Sequence, residues 1–253
     1  MSPIVSPRIK YILFDCGNTL VQSEDLAFEA TASVVNEFLS TSNVSFRYNP
    51  EDLKILFPDW TFRGMVYRLQ RELGFTLSRS ELVRLTELEE ERVIAKLEEK
   101  AEPCAGAMQV LATLHEENKY KLAVTSTSSS LRRIQASLSA SDLDQFFDPG
   151  EVYSGLTISS KPVSKPDSPI YHHLLEKYGV KPHECMAIQD TAAGADAAVR
   201  ARIPVMGYVG ACHSSEEKHE TISRLAVAGC KSIMWHWDDF DKEFELLKEQ
   251  IKK

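Results

Sequence analysis

The chain has 253 residues and a mass of 28.5 kDa, with 43% hydrophobic and 26% charged residues, which excludes collagen-like, wholly disordered and disulfide-scaffold classes and allows one large domain or two modest ones. A formal charge of −8, from 37 acidic and 29 basic residues, repels phosphate backbones and argues against a nucleic-acid partner. No apolar run reaches the roughly 18 residues that span a bilayer, and Met1–Lys10 lacks the apolar stretch of a signal peptide, so no membrane partner is expected and the expected location is cytoplasmic.

Ile9–Phe14 is a short apolar run that reads as a buried strand, and it ends at Asp15. Cys16-Gly17-Asn18-Thr19 follows as a tight turn, because Gly and Asn accept positive φ. Residues 23–99 read as an all-helical insert. Leu26, Ala30, Val34 and Phe38 recur every four residues, and Leu82, Leu85, Leu88, Val93 and Leu97 mark a second long helix. The acidic run Glu87–Glu91 reads as that helix's solvated face. After Pro103 the pattern alternates between strands and helices. Lys121–Thr125 is a strand, followed by the hydroxyl-rich Thr125–Ser130 and a helix from about Ser130. Lys165-Pro166-Asp167 forms a turn before a helix beginning near Pro169. Met186–Gln189 is a strand ending at Asp190, and Ala192–Ala201 is an Ala-rich helix. Pro204–Val209 and Ser232–Trp235 are further strands, and Asp238–Lys253 is an amphipathic tail.

Apolar strands separated by helices predict a doubly wound α/β core with a parallel sheet. That core spans 1–22 and 100–253, and the helical cap at 23–99 interrupts it after its first strand. The five scattered cysteines (Cys16, Cys104, Cys185, Cys212, Cys230) have no CxxC spacing and read as reduced thiols.

In open parallel sheets, ligands bind beyond the carboxyl ends of the strands. Asp15, Ser126 and Asp190 stand at such ends, and Lys165 precedes a helix. A positioned carboxylate can attack phosphorus and form an acyl-phosphate. A hydroxyl such as Ser126 and a lysine such as Lys165 can hold the non-bridging oxygens. Asp190 adds an oxygen ligand suited to Mg²⁺, which screens one anion from another.

Phe14-Asp15-Cys16-Gly17-Asn18-Thr19-Leu20-Val21 resembles the first motif of the haloacid dehalogenase superfamily, Asp-x-Asp-Gly/Asn-Thr-Leu/Val. Ser126, Lys165-Pro166 and Gln189-Asp190-Thr191 with Gly194 resemble the second, third and fourth motifs. Phe62-Arg63-Gly64-Met65 is similar to the cap loop of the phosphoglucomutase-like branch. The resemblance implies a Rossmann-like core and hydrolysis of a small phosphorylated metabolite. Asp15 would be the nucleophile. Ser126, Lys165, Asn18, Thr19, Thr127 and Arg63 would contact the substrate. Mg²⁺ would be held by Asp15, the Gly17 carbonyl, Asp190 and Gln189 or its water. Apolar cap residues Trp60, Phe62 and Met65 would suit a partly apolar leaving group.

Two positions depart from the pattern. Gly17 replaces the second Asp, which in the family donates and abstracts the proton, a role worth roughly 10²–10⁴-fold. Gln189 replaces an acidic residue, so affinity for Mg²⁺ should fall. Three readings follow: a phosphohydrolase with weakened acid–base chemistry, a C–P or C–halogen hydrolase, or a non-catalytic binding protein. The C–P reading needs an imine-forming lysine, and the cap-loop position holds Arg63, although Lys54 lies in the cap.

Overall fold

The computed structural model describes residues 9–42, 44–57, 60–126, 129–148, 150–158 and 169–251. In chain order, β1 (Tyr11–Phe14) and β2 (Val21–Gln22) precede α1 (Glu24–Thr41), α2 (Pro50–Leu56), α3 (Phe62–Leu73) and α4 (Arg79–Lys100). Then come β3 (Glu102–Pro103), α5 (Ala107–Glu117), β4 (Lys121–Ser126), α6 (Leu131–Ala140), β5 (Val152–Ser154), α7 (Gly155–Ile158) and α8 (Pro169–Tyr178). The chain ends with β6 (Cys185–Gln189), α9 (Ala192–Arg200), β7 (Val205–Tyr208), α10 (Ser215–Ala228), β8 (Ser232–Met234) and α11 (Phe240–Ile251). It divides into two compact units: one holds residues 1–22 and 102–253, the other Ser23–Ala101. The boundary falls after Ala101 because α4 continues to Lys100 before the backbone turns extended into β3.

The first unit is built on a six-stranded parallel sheet in the order β5-β4-β1-β6-β7-β8. The chain runs outward from β1 through β4 to β5, then crosses back to β6 beside β1. That reversal is the switch point at which such sheets open a crevice. Leu13, Ala123, Ala187 and Val205 pack with Tyr171 and Leu174 of α8, Ala195 and Ala198 of α9, and Leu225 of α10. On the other face Phe14 lies 6.0 Å from Phe147 and 6.2 Å from the fully buried Trp237. Alternation of side chains along a strand produces these two faces. β5 completes the sheet edge although no strand is legible there in the sequence. Three residues carry too little periodicity to read, and pairing with β4 makes the strand.

The second unit packs Ala32, Val35 and Leu39 of α1 against Leu53, Phe57, Met65 and Leu69. Of the predicted stripe, Ala30 and Val34 are buried and Leu26 and Phe38 half-buried; the buried face is wider than the stripe and also takes in Ala32, Val35 and Leu39. On α4 the buried face is Leu82, Leu85, Glu89, Val93 and Leu97. Glu89 therefore leaves the solvated run to which its sequence assigned it. It accepts a 2.8 Å hydrogen bond from the buried Thr31 hydroxyl, which offsets part of the desolvation of its charge. Thr31→Val is accordingly expected to lower stability by about 1–3 kcal/mol in urea unfolding; a change below ~0.5 kcal/mol would show that Glu89 does not depend on this donor.

Candidate active site

Phe14 pairs with Val124 on β4 and with Ile188 on β6. One residue further on, Thr125, Asp15 and Gln189 stand level across three adjacent strand ends. They project toward the face on which Leu13, Ala123, Ala187 and Tyr171 pack, because side chains two apart share a face. The peptide that carries Asp15 is gripped on both sides. The Asp15 N–H donates to the Ile188 carbonyl at 3.0 Å, and the Thr125 hydroxyl donates to the Phe14 carbonyl at 3.3 Å.

The turn after Asp15 is fixed by its own backbone. Leu20 and Val21 N–H groups both donate to the Cys16 carbonyl at 3.0 Å, and Asn18 N–H donates to the Val21 carbonyl at 2.7 Å. Asn18 takes the left-handed conformation with φ 52, which asparagine tolerates better than most residues. Trp237 Nε1 donates to the Thr19 carbonyl at 3.0 Å and anchors the turn from beneath. The Thr19 hydroxyl then reaches the end of β6, donating to Asp190 Oδ1 at 3.3 Å. Asp15, Asn18, Thr19, Gln189 and Asp190 thus converge at the switch point.

Ser126 ends β4, and its Oγ accepts from the Ser129 N–H at 3.1 Å, leaving the hydroxyl proton to donate. Ser130 caps α6 by accepting from the Arg133 N–H, so the hydroxyl run divides into a turn residue and a cap. Thr191 caps α9 in the same way, accepting from the Gly194 N–H at 3.1 Å. Gly194 leaves room for the Gln189 amide: a Cβ there would stand 1.9 Å from Gln189 Oε1 and would displace that side chain. Lys165 and Thr127 lie outside the described residues.

The edge is electronegative. Burial first, then the Asp15 carboxylate, push up the Cys16 thiol and the Tyr171 phenol. Burial and the Asp190 carboxylate push the Cys104 thiol up to about 12, and burial, Cys104 and Asp190 raise Tyr208. These groups stay protonated, and the two carboxylates present their charge to whatever enters.

The family profile of haloacid dehalogenase-like hydrolases matches residues 9–202. The chain belongs to the haloacid dehalogenase-like hydrolases. Among its relatives, the 6-phosphogluconate phosphatase of Escherichia coli K12 is 23% identical over 234 residues, covering 91% of this chain and 98% of that protein. A haloacid dehalogenase-like protein of unknown function from Agrobacterium tumefaciens is 25% identical with a TM-score of 0.70, covering 94% of this chain and 98% of the other. CbbY from Rhodobacter sphaeroides, solved in complex with phosphate, is 21% identical with a TM-score of 0.71, covering 92% and 96%.

In this haloacid dehalogenase-like hydrolase the carboxylates of Asp15 and Asp190 follow the ends of β1 and β6, hard oxygen donors at the switch point. That set suits Mg²⁺, which takes one or two carboxylates and keeps several waters. Among the described residues no group of three His, Cys, Asp or Glu side chains could hold a metal, consistent with the neutral Gln189 beside them. Gln189 is buried, and its Nε2 has no hydrogen-bond partner.

Arg63 belongs to the second unit, in the first turn of α3. Two of the apolar residues expected to meet a leaving group are spent elsewhere: Met65 is buried in that unit's own core, and Phe62 packs against it. Trp60 is 46% exposed and lies beside Gly64, with the Arg68 guanidinium 5.7 Å from its ring centroid. Neither Tyr171 nor Trp237 has a role legible in the sequence. Each looks like ordinary core, and their importance depends on what lies over them.

Proposed function

We propose that the chain removes a phosphoryl group from a small phosphorylated organic metabolite by way of an aspartyl-phosphate on Asp15. The observation that supports this best is the convergence of Asp15, Thr19 and Asp190 at the switch point, with Ser126 on the neighbouring strand end. Asp15 attacks phosphorus in line, the P–O bond to the leaving group breaks, and that oxygen departs with the electron pair. Water then attacks the phosphoryl group, releasing phosphate and regenerating the carboxylate. Turn N–H groups, Ser126 and Lys165 hold the non-bridging oxygens, with Thr127 and Asn18 alongside.

Asp15, the Gly17 carbonyl and Asp190 would hold Mg²⁺, with Gln189 adjoining. When bound, the ion supplies positive charge that offsets the repulsion between the carboxylate and the phosphoryl oxygens. Gly17 offers no proton, so the leaving group must be weakly basic or protonated by the substrate or water. The relatives named for 6-phosphogluconate and solved with phosphate support a phosphorylated small molecule as the substrate. A non-catalytic phosphate-binding role is the competing reading, and Gly17 is the observation that favours it.

A panel of sugar phosphates, 6-phosphogluconate and p-nitrophenyl phosphate tests the proposal. Phosphate release is expected in Mg²⁺, lost on chelation with EDTA and restored by added Mg²⁺. Binding of phosphate with no release from any substrate would favour the non-catalytic role.

A further inference from the structure

Trp237 comes from the far end of the chain and is fully buried. The single helical turn that carries it, Trp237–Asp239, is closed by Asp239, whose Oδ2 accepts from the Trp235 and His236 N–H groups at 3.1 and 3.0 Å. Its ring centroid lies 6.2 Å from that of Phe14 and 5.5 Å from that of Tyr208. Behind it Gly106 closes the space: a Cβ there would stand 2.9 Å from the Trp237 Cβ. Several elements thus hold the indole, and its one polar atom is aimed with it. Nε1 donates to the Thr19 carbonyl at 3.0 Å, across a sequence separation of 218 residues. This bond is what an indole adds over a purely apolar ring at the same place. Thr19 is itself fully buried, and its hydroxyl donates to Asp190 Oδ1 at 3.3 Å. Two hydrogen bonds therefore tie together the segment after β8, the turn after β1 and the end of β6.

We propose that Trp237 is a positioning residue that aims the Asp190 carboxylate through Thr19. The indole N–H fixes the Thr19 carbonyl, and the Thr19 hydroxyl then fixes one oxygen of Asp190. Phe14 packs on the same indole, so the residue before Asp15 and the turn after it share one anchor. The two carboxylates that follow β1 and β6 are thereby held at a set spacing. Trp237 is buried and acts only through Thr19. The inference rests on the reading of Asp190 as a Mg²⁺ ligand and adds to it the structure that aims that ligand. Partners behind a ligating side chain commonly govern metal affinity by about 10–100-fold.

The test titrates Mg²⁺ into the full, substrate-free chain by calorimetry, with the thermal midpoint and turnover of p-nitrophenyl phosphate measured alongside. Trp237 is replaced by 3-benzothienylalanine, which keeps the bicyclic shape and puts sulfur where the N–H stood. The Mg²⁺ dissociation constant is expected to rise about 3–10-fold. Turnover at limiting Mg²⁺ should fall by the same factor and return at saturating Mg²⁺. Thr19→Val should raise the dissociation constant about 10-fold or more, and Thr19→Ser, which keeps the hydroxyl, should stay within about twofold of the natural chain. Combining the Trp237 replacement with Thr19→Val should cost no more than Thr19→Val alone, because both break one line of contacts. A role in packing alone would lower the midpoint and leave the dissociation constant unchanged well below it. That outcome, additive losses in the combined variant, or no Mg²⁺ binding by the natural chain overturns the proposal. Absence of turnover in both the natural chain and Gly17→Asp, with the expected Mg²⁺ pattern intact, overturns the hydrolase reading and leaves the positioning role standing.

Discussion

Asp15→Asn is expected to abolish phosphate release, with a loss of more than about 10³-fold, and to leave the fold intact. The exchange is isosteric and spares the backbone bond from residue 15 to the Ile188 carbonyl. It removes the attacking charge, and an amide oxygen is a poor nucleophile toward phosphorus. Removal of a nucleophile elsewhere costs up to about 10⁶-fold, but Gly17 has already lowered the starting rate, so the measurable drop is smaller. The variant should still bind phosphate in Mg²⁺, because Thr19, Ser126 and Asp190 are untouched. A thermal midpoint at or above that of the natural chain is expected, since the electronegative strand ends lose one charge. Acid-quenched protein should carry hydroxylamine-sensitive phosphate when residue 15 is Asp and none when it is Asn. Retained turnover in the variant would exclude Asp15 as the nucleophile.

The strand ends were legible in the sequence because burial on both faces leaves a continuous apolar run, and a charged residue after such a run has to be at an edge. Asp15 and Asp190 were readable for that reason. What stayed hidden depends on neighbours distant in the chain. β5 exists because β4 offers it a ladder, and α10 buries only Leu225 fully, so its periodicity is faint. Glu89 reads as solvent-facing in any window of α4, and its burial becomes legible only when Thr31, on another helix, is seen to donate to it. The strand ends were thus readable from local pattern, and the packing around them was not.

Gly17→Asp is expected to raise turnover by about 10²–10⁴-fold for substrates with basic alcohol leaving groups, the range that general acid–base help supplies. The backbone permits the change. Among the described glycines Gly17 is not one with positive φ, and the left-handed position in this turn belongs to Asn18. The new carboxyl would enter beside Asp15, where neighbouring negative charge raises its pKa and keeps it protonated to a higher pH than an isolated aspartate. That protonated form can donate to the departing oxygen, and its conjugate base can then activate water for the second step. The gain should depend on the leaving group. A sugar phosphate expels a strongly basic alkoxide and should benefit fully. p-Nitrophenyl phosphate expels a stable phenolate that needs little protonation and should change by less than about 10-fold. The natural chain should therefore show a steep dependence of kcat/KM on leaving-group basicity that flattens in the variant. Its pH–rate profile should also gain an alkaline limb, with rate falling as the new acid loses its proton. Equal gains on both substrates would mean that the carboxyl acts through metal binding or charge and not through the proton. No gain on either would mean that Gly17 is not the missing acid and that another group already protonates the leaving oxygen.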